Sequence, residues 1–220
     1  MKKITLPMLF AFTILLAWSC AGLKGLLSQG DAAAALRQML SIGVRDGLTQ
    51  QFTKDAVMTA LFPEPARKAI RTVETLGLSP ELERVTNTLG TVAQNAETTS
   101  IPVFENAISR IQFTDALQLV KAGGTSATDY LRSQAGDSLR RALKPIMQAA
   151  IDEHKLTDDW AKVSKPIQSV SGNRLNLDLA TLMAGMVSES MFRQIAEKET
   201  AIRTNASART TPLLRQAFGR

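Results

Sequence analysis

No stretch of this sequence has the makings of an ordinary β-strand, and that absence constrains the fold more than any other feature. Strands need runs of β-branched and aromatic residues. The nearest approach, Ile167 to Val170, is broken by Gln168 and Ser169, and aromatics make up only 5% of the chain. The vocabulary is instead Ala, Leu, Arg, Gln and Met, residues that lose little on entering a helix. Apolar side chains recur at three- and four-residue spacing, the period of one helix face. Leu36, Met39, Leu40 and Val44 form one such stripe, and Leu82, Val85, Leu89, Val92 and Ala96 another.

Punctuation divides the chain into helices. The first is expected from Asp31, as N-cap, toward Leu48. Two short ones should cover Lys54–Leu61 and Pro65–Leu76, the latter ending at Gly77. Ser79-Pro80-Glu81 is a further start signal. Pro102 is expected to open a new helix with Val103, Ala107 and Ile111 inward. Thr114-Asp115 restarts the chain toward Val120, and Gly123-Gly124 breaks it. Ser126 and Asp129 have capping-box spacing for a long helix to about Ala149. Its stripe is Leu139, Ala142, Leu143, Ile146 and Met147, with a bend at Pro145. A helix over Leu156–Val163, a loop over Ser164–Asn176, a long helix over Asp178–Thr200 and a closing piece over Thr211–Phe218 complete the reading. The last long helix should bury Leu179, Leu182, Met183, Met186, Val187 and Ile195. The short connections predict an all-α fold, a single compact multi-helix domain behind a signal peptide.

The signal is read from Met1 to Trp18. Lys2 and Lys3 give a positive start, and Ile4–Trp18 is uncharged and apolar, the make-up of a secretory leader. That run is shorter than the roughly 20 residues that span a bilayer. Cys20, the single cysteine, stands where the leader ends. Leu15-Leu16-Ala17-Trp18-Ser19-Cys20 resembles a bacterial lipoprotein signal, although Ala17 stands where Leu is usual. Lipid on Cys20 is therefore expected, since an unpaired thiol in an oxidising compartment is otherwise a liability. The competing reading takes Ser19-Cys20-Ala21 as an ordinary cleavage site and releases a soluble periplasmic protein. The expected organisation is a signal peptide over 1–19, a tether over 20–30 and a helical domain over 31–220. Ala21 as second mature residue, by resemblance to other lipoproteins, implies delivery to the periplasmic face of the outer membrane.

Charge says less. Without Lys2 and Lys3 the 26 basic residues become 24 against 20 acidic ones, a balance of +4. Such an excess permits contact with anionic lipid without arguing for it. Arg203, Arg209, Arg215 and Arg220 have no acid among them after Thr200. Arginines at helix ends complement the dipole, which explains them without a ligand. No aromatic–basic interleaving points to nucleic acid.

The residues that enzyme chemistry would need do not fall into a catalytic pattern. One His and one Cys leave no spacing for zinc, and the acid pairs Asp152-Glu153 and Asp158-Asp159 lack the glycine and closing Glu of a calcium loop. His154 has no activated nucleophile beside it. Gly123-Gly124-Thr125-Ser126 could present N–H groups to an anion, but no Walker lysine follows. Neither a catalytic residue, a metal site nor a cofactor is expected.

The C-terminal third is more specific. Phe192-Arg193-Gln194-Ile195-Ala196-Glu197-Lys198-Glu199, Ala201-Ile202-Arg203 and Ala208-Arg209-Thr210-Thr211-Pro212-Leu213-Leu214 stand there, with Phe218-Gly219 at the close. With Asp31-Ala32, Ala35-Leu36-Arg37, Asp115-Ala116, Gly123-Gly124, Ala127-Thr128-Asp129-Tyr130-Leu131 and Lys144-Pro145-Ile146, these resemble an uncharacterised family of exported bacterial proteins, domain of unknown function 4197. The resemblance implies export and a helical fold, and brings no catalytic residues. Gln51–Pro63 is shorter than the family pattern, and Met183–Met191 is rich in Met and Ser where acids and aromatics belong.

The functional expectation is a non-enzymatic cell-envelope lipoprotein, a helical binding or scaffold module held to the membrane through Cys20 and meeting an envelope protein or component. The alternative is a periplasmic carrier of an apolar ligand or lipid, in a cavity lined by Met183, Met186, Met191 and Phe192. An enzyme would need His154, or Thr128, Asp129, Arg209 and Thr210, to converge in a cleft.

Overall fold

The computed structural model describes residues 27–46, 79–170 and 178–219, together with Val57, Thr59 and Arg67. The leader, Cys20 and most of the two short helices expected before Gly77 lie outside these. The three isolated residues are helical and fall within those two stretches. Among the described residues there is no strand. The elements are α1 (Gln29–Asp46), α2 (Ser79–Arg110), α3 (Ala116–Ala122), α4 (Ser126–Glu153), α5 (Leu156–Val170), α6 (Leu179–Thr204) and α7 (Pro212–Phe218). A single 3-10 turn, Ala206–Ala208, precedes α7. The chain is all-α.

The centre of the bundle is α6. Met183, Met186, Val187, Met191, Phe192 and Ile195 are all nearly or fully buried, and as far as Glu197 only a narrow stripe at four-residue spacing, Thr181, Glu189, Arg193 and Glu197, is exposed. Antiparallel α4 lies along it, with Lys144 against Asp178 at one end and Thr128 against Glu199 at the other. On another side α1 approaches so closely that Gly43 backs onto Ile195. Antiparallel α2 packs against α4 and also touches α6, and the carbonyl that follows it, at Gln112, accepts from the Tyr130 hydroxyl at 2.7 Å. Both expected stripes, Leu36–Val44 and Leu82–Ala96, are buried. The helix starts at Asp115, Asp178 and Thr211 are real caps, accepting from the backbone N–H of Gln118, Thr181 and Leu214.

Five expectations need correction. The first helix begins at Gln29: Ser28 Oγ accepts from Asp31 N at 3.0 Å, so Asp31 is the third residue of a capping box rather than the cap. Pro102 does not open a helix but lies inside α2. Its ring is on the exposed side, where water can meet the carbonyl four residues back, and the inward residues are Phe104, Ile108 and Ile111, with Val103 and Ala107 half-buried. On α4, Ala142 is exposed and Ile146 half-buried. Residues Ser164–Val170 continue α5 instead of forming a loop, because Val163, Ser164 and Ile167 are buried together. Finally, α6 runs four residues past Thr200.

Candidate functional site

At the end of the bundle where α1 begins, four helix termini meet around one ion pair. Gly123 (φ 73°) and Gly124 (φ 56°) adopt left-handed backbone, which turns the chain sharply from α3 into α4. The end of α3 and the start of α4 thereby both face α6. Thr125 is the N-cap residue of α4, but its side chain accepts from no backbone N–H of the first turn. Glu199 of α6, fully buried, takes that place. Its carboxylate accepts from Ala127 N (3.0 Å), Thr128 N (2.8 Å) and Thr128 Oγ1 (2.6 Å). A negative group on the second and third amides of a helix satisfies orphan donors and meets the positive end of the dipole.

Arg203, one turn on, pairs with Glu199 at 2.7 Å and is itself only 8% exposed. Its other N–H groups donate to the carbonyls of Leu119 (3.0 Å) and Val120 (2.8 Å), near the end of α3, and its guanidinium stands 5.1 Å from the Phe218 ring centroid. Arg209 donates to the carbonyls of Ile202 and Arg203 at the end of α6, and Arg215 to that of Arg209. Thr211 Oγ1 ties α7 to Gln38 of α1 at 2.9 Å. Arg203 and Arg209 are thus spent on helix C-termini, and Arg215 on the turn before α7.

A second buried carboxyl lies at mid-bundle. Glu97 of α2 is 2% exposed, and its Oε1 accepts from Ser190 Oγ (3.0 Å) and Gln194 Nε2 (2.6 Å). Ser188 Oγ and Gln194 Oε1 are buried without a partner. Burial pushes the Glu97 carboxyl above its usual range, against the opposing pull of those two hydrogen bonds and the charge of Arg193. None of the hollows described below is lined by this group, so it has no access to a substrate there.

The open surface offers hollows of a different character. Between the second half of α2 and the middle of α4 runs a groove of about 800 Å³, walled by Pro102, Val103 and Ala107 on one side and Ala135, Ser138 and Ala142 on the other, with Arg110 at its end. A second groove of about 550 Å³ continues the line between Val92, Asn95 and Thr99 of α2 and Pro145 and Ala149 of α4, ending at Glu153 and His154. Together they make a seam along both helices. A separate hollow of about 620 Å³ lies among Leu27, Leu117, Val120, Lys121 and Phe218, beside the ion pair.

The sequence pattern of a family described as a protein of unknown function (DUF4197) matches residues 26–219, nearly the whole of the chain. The chain belongs to that family. No match was found among curated proteins or solved structures. Several of the stretches that resemble the DUF4197 pattern come together at the four-helix junction: Gly123-Gly124 makes its turn, Ala127-Thr128 its anchored helix start, Glu199 and Arg203 its ion pair, and Phe218 its stacked ring.

The other expected positions are placed as follows. Cys20, the lipidation candidate, lies outside the described residues. His154 is the exposed C-cap of α4, its backbone N–H bonded to Ala150 O. The anion that the start of α4 could hold is the chain's own Glu199, and the expected capping box is replaced: Ser126 Oγ donates to Leu119 O and Thr125 Oγ1 to Asp129. Thr128, Asp129, Arg209 and Thr210 share no hydrogen bond; Thr128 turns to Glu199 and Arg209 to α6 carbonyls. Met183, Met186, Met191 and Phe192 pack in the core and line none of these hollows. Among the described residues no three His, Cys, Asp or Glu side chains gather to hold a metal ion, and no helix is long and apolar enough to cross a membrane. Glu97, Glu199 and Arg203 were missed as buried groups.

Proposed function

We propose that this chain is a lipid-tethered binding module of the bacterial cell envelope, held through Cys20, which docks a partner along the α2–α4 seam and catalyses no reaction. The observation that carries the reading is the division of polar groups. The buried carboxyls Glu97 and Glu199 are engaged in bonds between helices, while the two grooves of the seam are walled by uncharged side chains, several of them small, with Arg110 and Glu153 at the ends. Small residues let a helix come close, and laying a helix in a groove is a recurrent way of recognising a partner. The tether fits this geometry. Leu27, the first described residue, is seven residues from Cys20, a span of at most about 24 Å. The junction end of the bundle would then stand close to the lipid.

Two measurements test this in the intact organism's membranes. Intact mass of the membrane-bound chain should show an acylated N-terminus at Cys20, lost in Cys20→Ala; a soluble chain starting at Gly22 would overturn the tether. A photo-crosslinking residue at Ala135 should yield a discrete adduct that the same residue at Lys162, on α5, does not. Equal labelling from both positions would overturn the docking surface.

The second reading, a periplasmic carrier of an apolar ligand or lipid, is favoured by the hollow at Leu27, Leu117, Val120 and Phe218 rather than by the packed methionines. Native mass spectrometry showing a co-purifying lipid, displaced by Leu117→Trp, would support it.

A further inference from the structure

The occupant of the seam follows from its charges. From Val92 to Arg110 the α2 wall is about 27 Å long at 1.5 Å per residue, and the residues lining the two grooves carry no charge until the ends. At one end stands Arg110, at the other Glu153. Both are exposed, and neither has an ion-pair partner among the described residues. A face with opposite charges at its two ends and none between is complementary to itself when turned end for end.

We infer that the seam is the contact face of a twofold dimer of this chain, in which Arg110 of each copy meets Glu153 of the other. The inference rests on the docking reading above and names its partner. A twofold contact presents the same patch from both sides, and it is the commonest closed assembly of identical chains. Packing α2 and α4 against a second pair covers a face of roughly 27 by 20 Å on each copy, about 1,100 Å² in total. That is the lower edge of specific interfaces. Such a dimer is weak in dilute solution and is favoured when tethering confines the copies to one surface. The required twofold runs across the helices within the contact plane. If it stands along the membrane normal, both bundles lie flat and both tethers reach the same leaflet.

The test uses the full chain carrying two different tags, co-expressed, crosslinked in intact membranes and then captured after solubilisation. Wild-type copies should capture one another. R110E with R110E, and E153R with E153R, place like charges at both ends, and capture should fall about tenfold. R110E mixed with E153R restores opposite charges at both ends, and capture should return to the wild-type level. Both positions are exposed, and unchanged circular dichroism checks that the variants are folded. Wild-type copies that fail to capture one another, or a mixed pair no better than either charge-reversed pair alone, would overturn the dimer. In that event a discrete adduct from Ala135 to another protein leaves the docking reading standing, whereas uniform labelling removes it as well.

Discussion

Removing the Glu199 carboxylate should destabilise the domain more than any other single exposed-to-apolar or polar-to-alanine change at the junction. In Glu199→Ala, Ala127 N, Thr128 N and Thr128 Oγ1 lose their acceptor, and the Arg203 guanidinium is left 8% exposed with no carboxylate. Breaking a buried pair from one side costs about 3–5 kcal/mol, because the surviving charge is uncompensated. For a domain of this size each kcal/mol is worth roughly 2–4 °C, so the midpoint should fall by roughly 10 °C. Arg203→Met should cost less, about 2–3 kcal/mol, since Glu199 keeps two amides, a hydroxyl and the helix dipole. The double variant Glu199→Ala/Arg203→Met should cost less than the sum of the singles, because neither charge is then stranded. It will not be neutral, for the amides at the start of α4 and the carbonyls of Leu119 and Val120 stay unpaired. Urea unfolding followed by far-ultraviolet circular dichroism measures the three variants against wild type. A Glu199→Ala cost below about 1 kcal/mol, or strict additivity of the two singles, would refute the reasoning.

Three further outcomes are expected. Gly43→Ala should destabilise by about 1–2 kcal/mol, although alanine favours helix by about 1 kcal/mol, because a Cβ there would stand 2.9 Å from Ile195 Cα; a raised melting temperature would count against the close approach of α1 and α6. Glu97 is held above its ordinary value of 4.5, so the stability it contributes is complete below that value and is lost as pH rises through the higher folded one. Glu97→Gln should therefore gain about 1–2 kcal/mol at pH 7 and nothing at pH 4, and a variant that loses stability at pH 7 would show that the charged form is needed. His154→Ala should leave stability within about 0.5 kcal/mol of wild type, as for any exposed position; a larger loss in urea unfolding would mean that the side chain has a partner.

Much of the helix pattern is legible from local chemistry. Asp115, Asp178 and Thr211 are caps in sequence and in structure, because a cap bonds to its own next turn and needs nothing distant. The errors arise where tertiary packing outweighs a local signal. Pro102 reads as a start, yet Ser100 and Phe104 on either side of it are buried and hold α2 straight on through it. Ser164 to Val170, with its serines, lysine and proline, reads as loop until Ile167 is seen to close the core.

The junction was illegible for a different reason: Ala127 and Glu199 are 72 residues apart, and no local rule links them. A signal was nevertheless present. Phe192, Ile195, Glu199 and Ile202 follow one another at three- and four-residue steps, so Glu199 occupies a place on an apolar stripe. Glu97 does the same between Ala93, Ser100 and Phe104. A carboxylate at a core position cannot be left in apolar surroundings without a partner, since the desolvation cost is several kcal/mol. Such a residue therefore announces either donors brought from elsewhere in the chain or a retained proton. Glu199 takes the first course, with two amides, a hydroxyl and a guanidinium. Glu97, with only Ser190 and Gln194 to hand, moves toward the second. The same rule runs in reverse on the surface: the residues that line the seam carry no charge except Arg110 and Glu153 at its ends, in a chain with 21% charged residues, and that contrast is the ground for proposing it as a face to be covered.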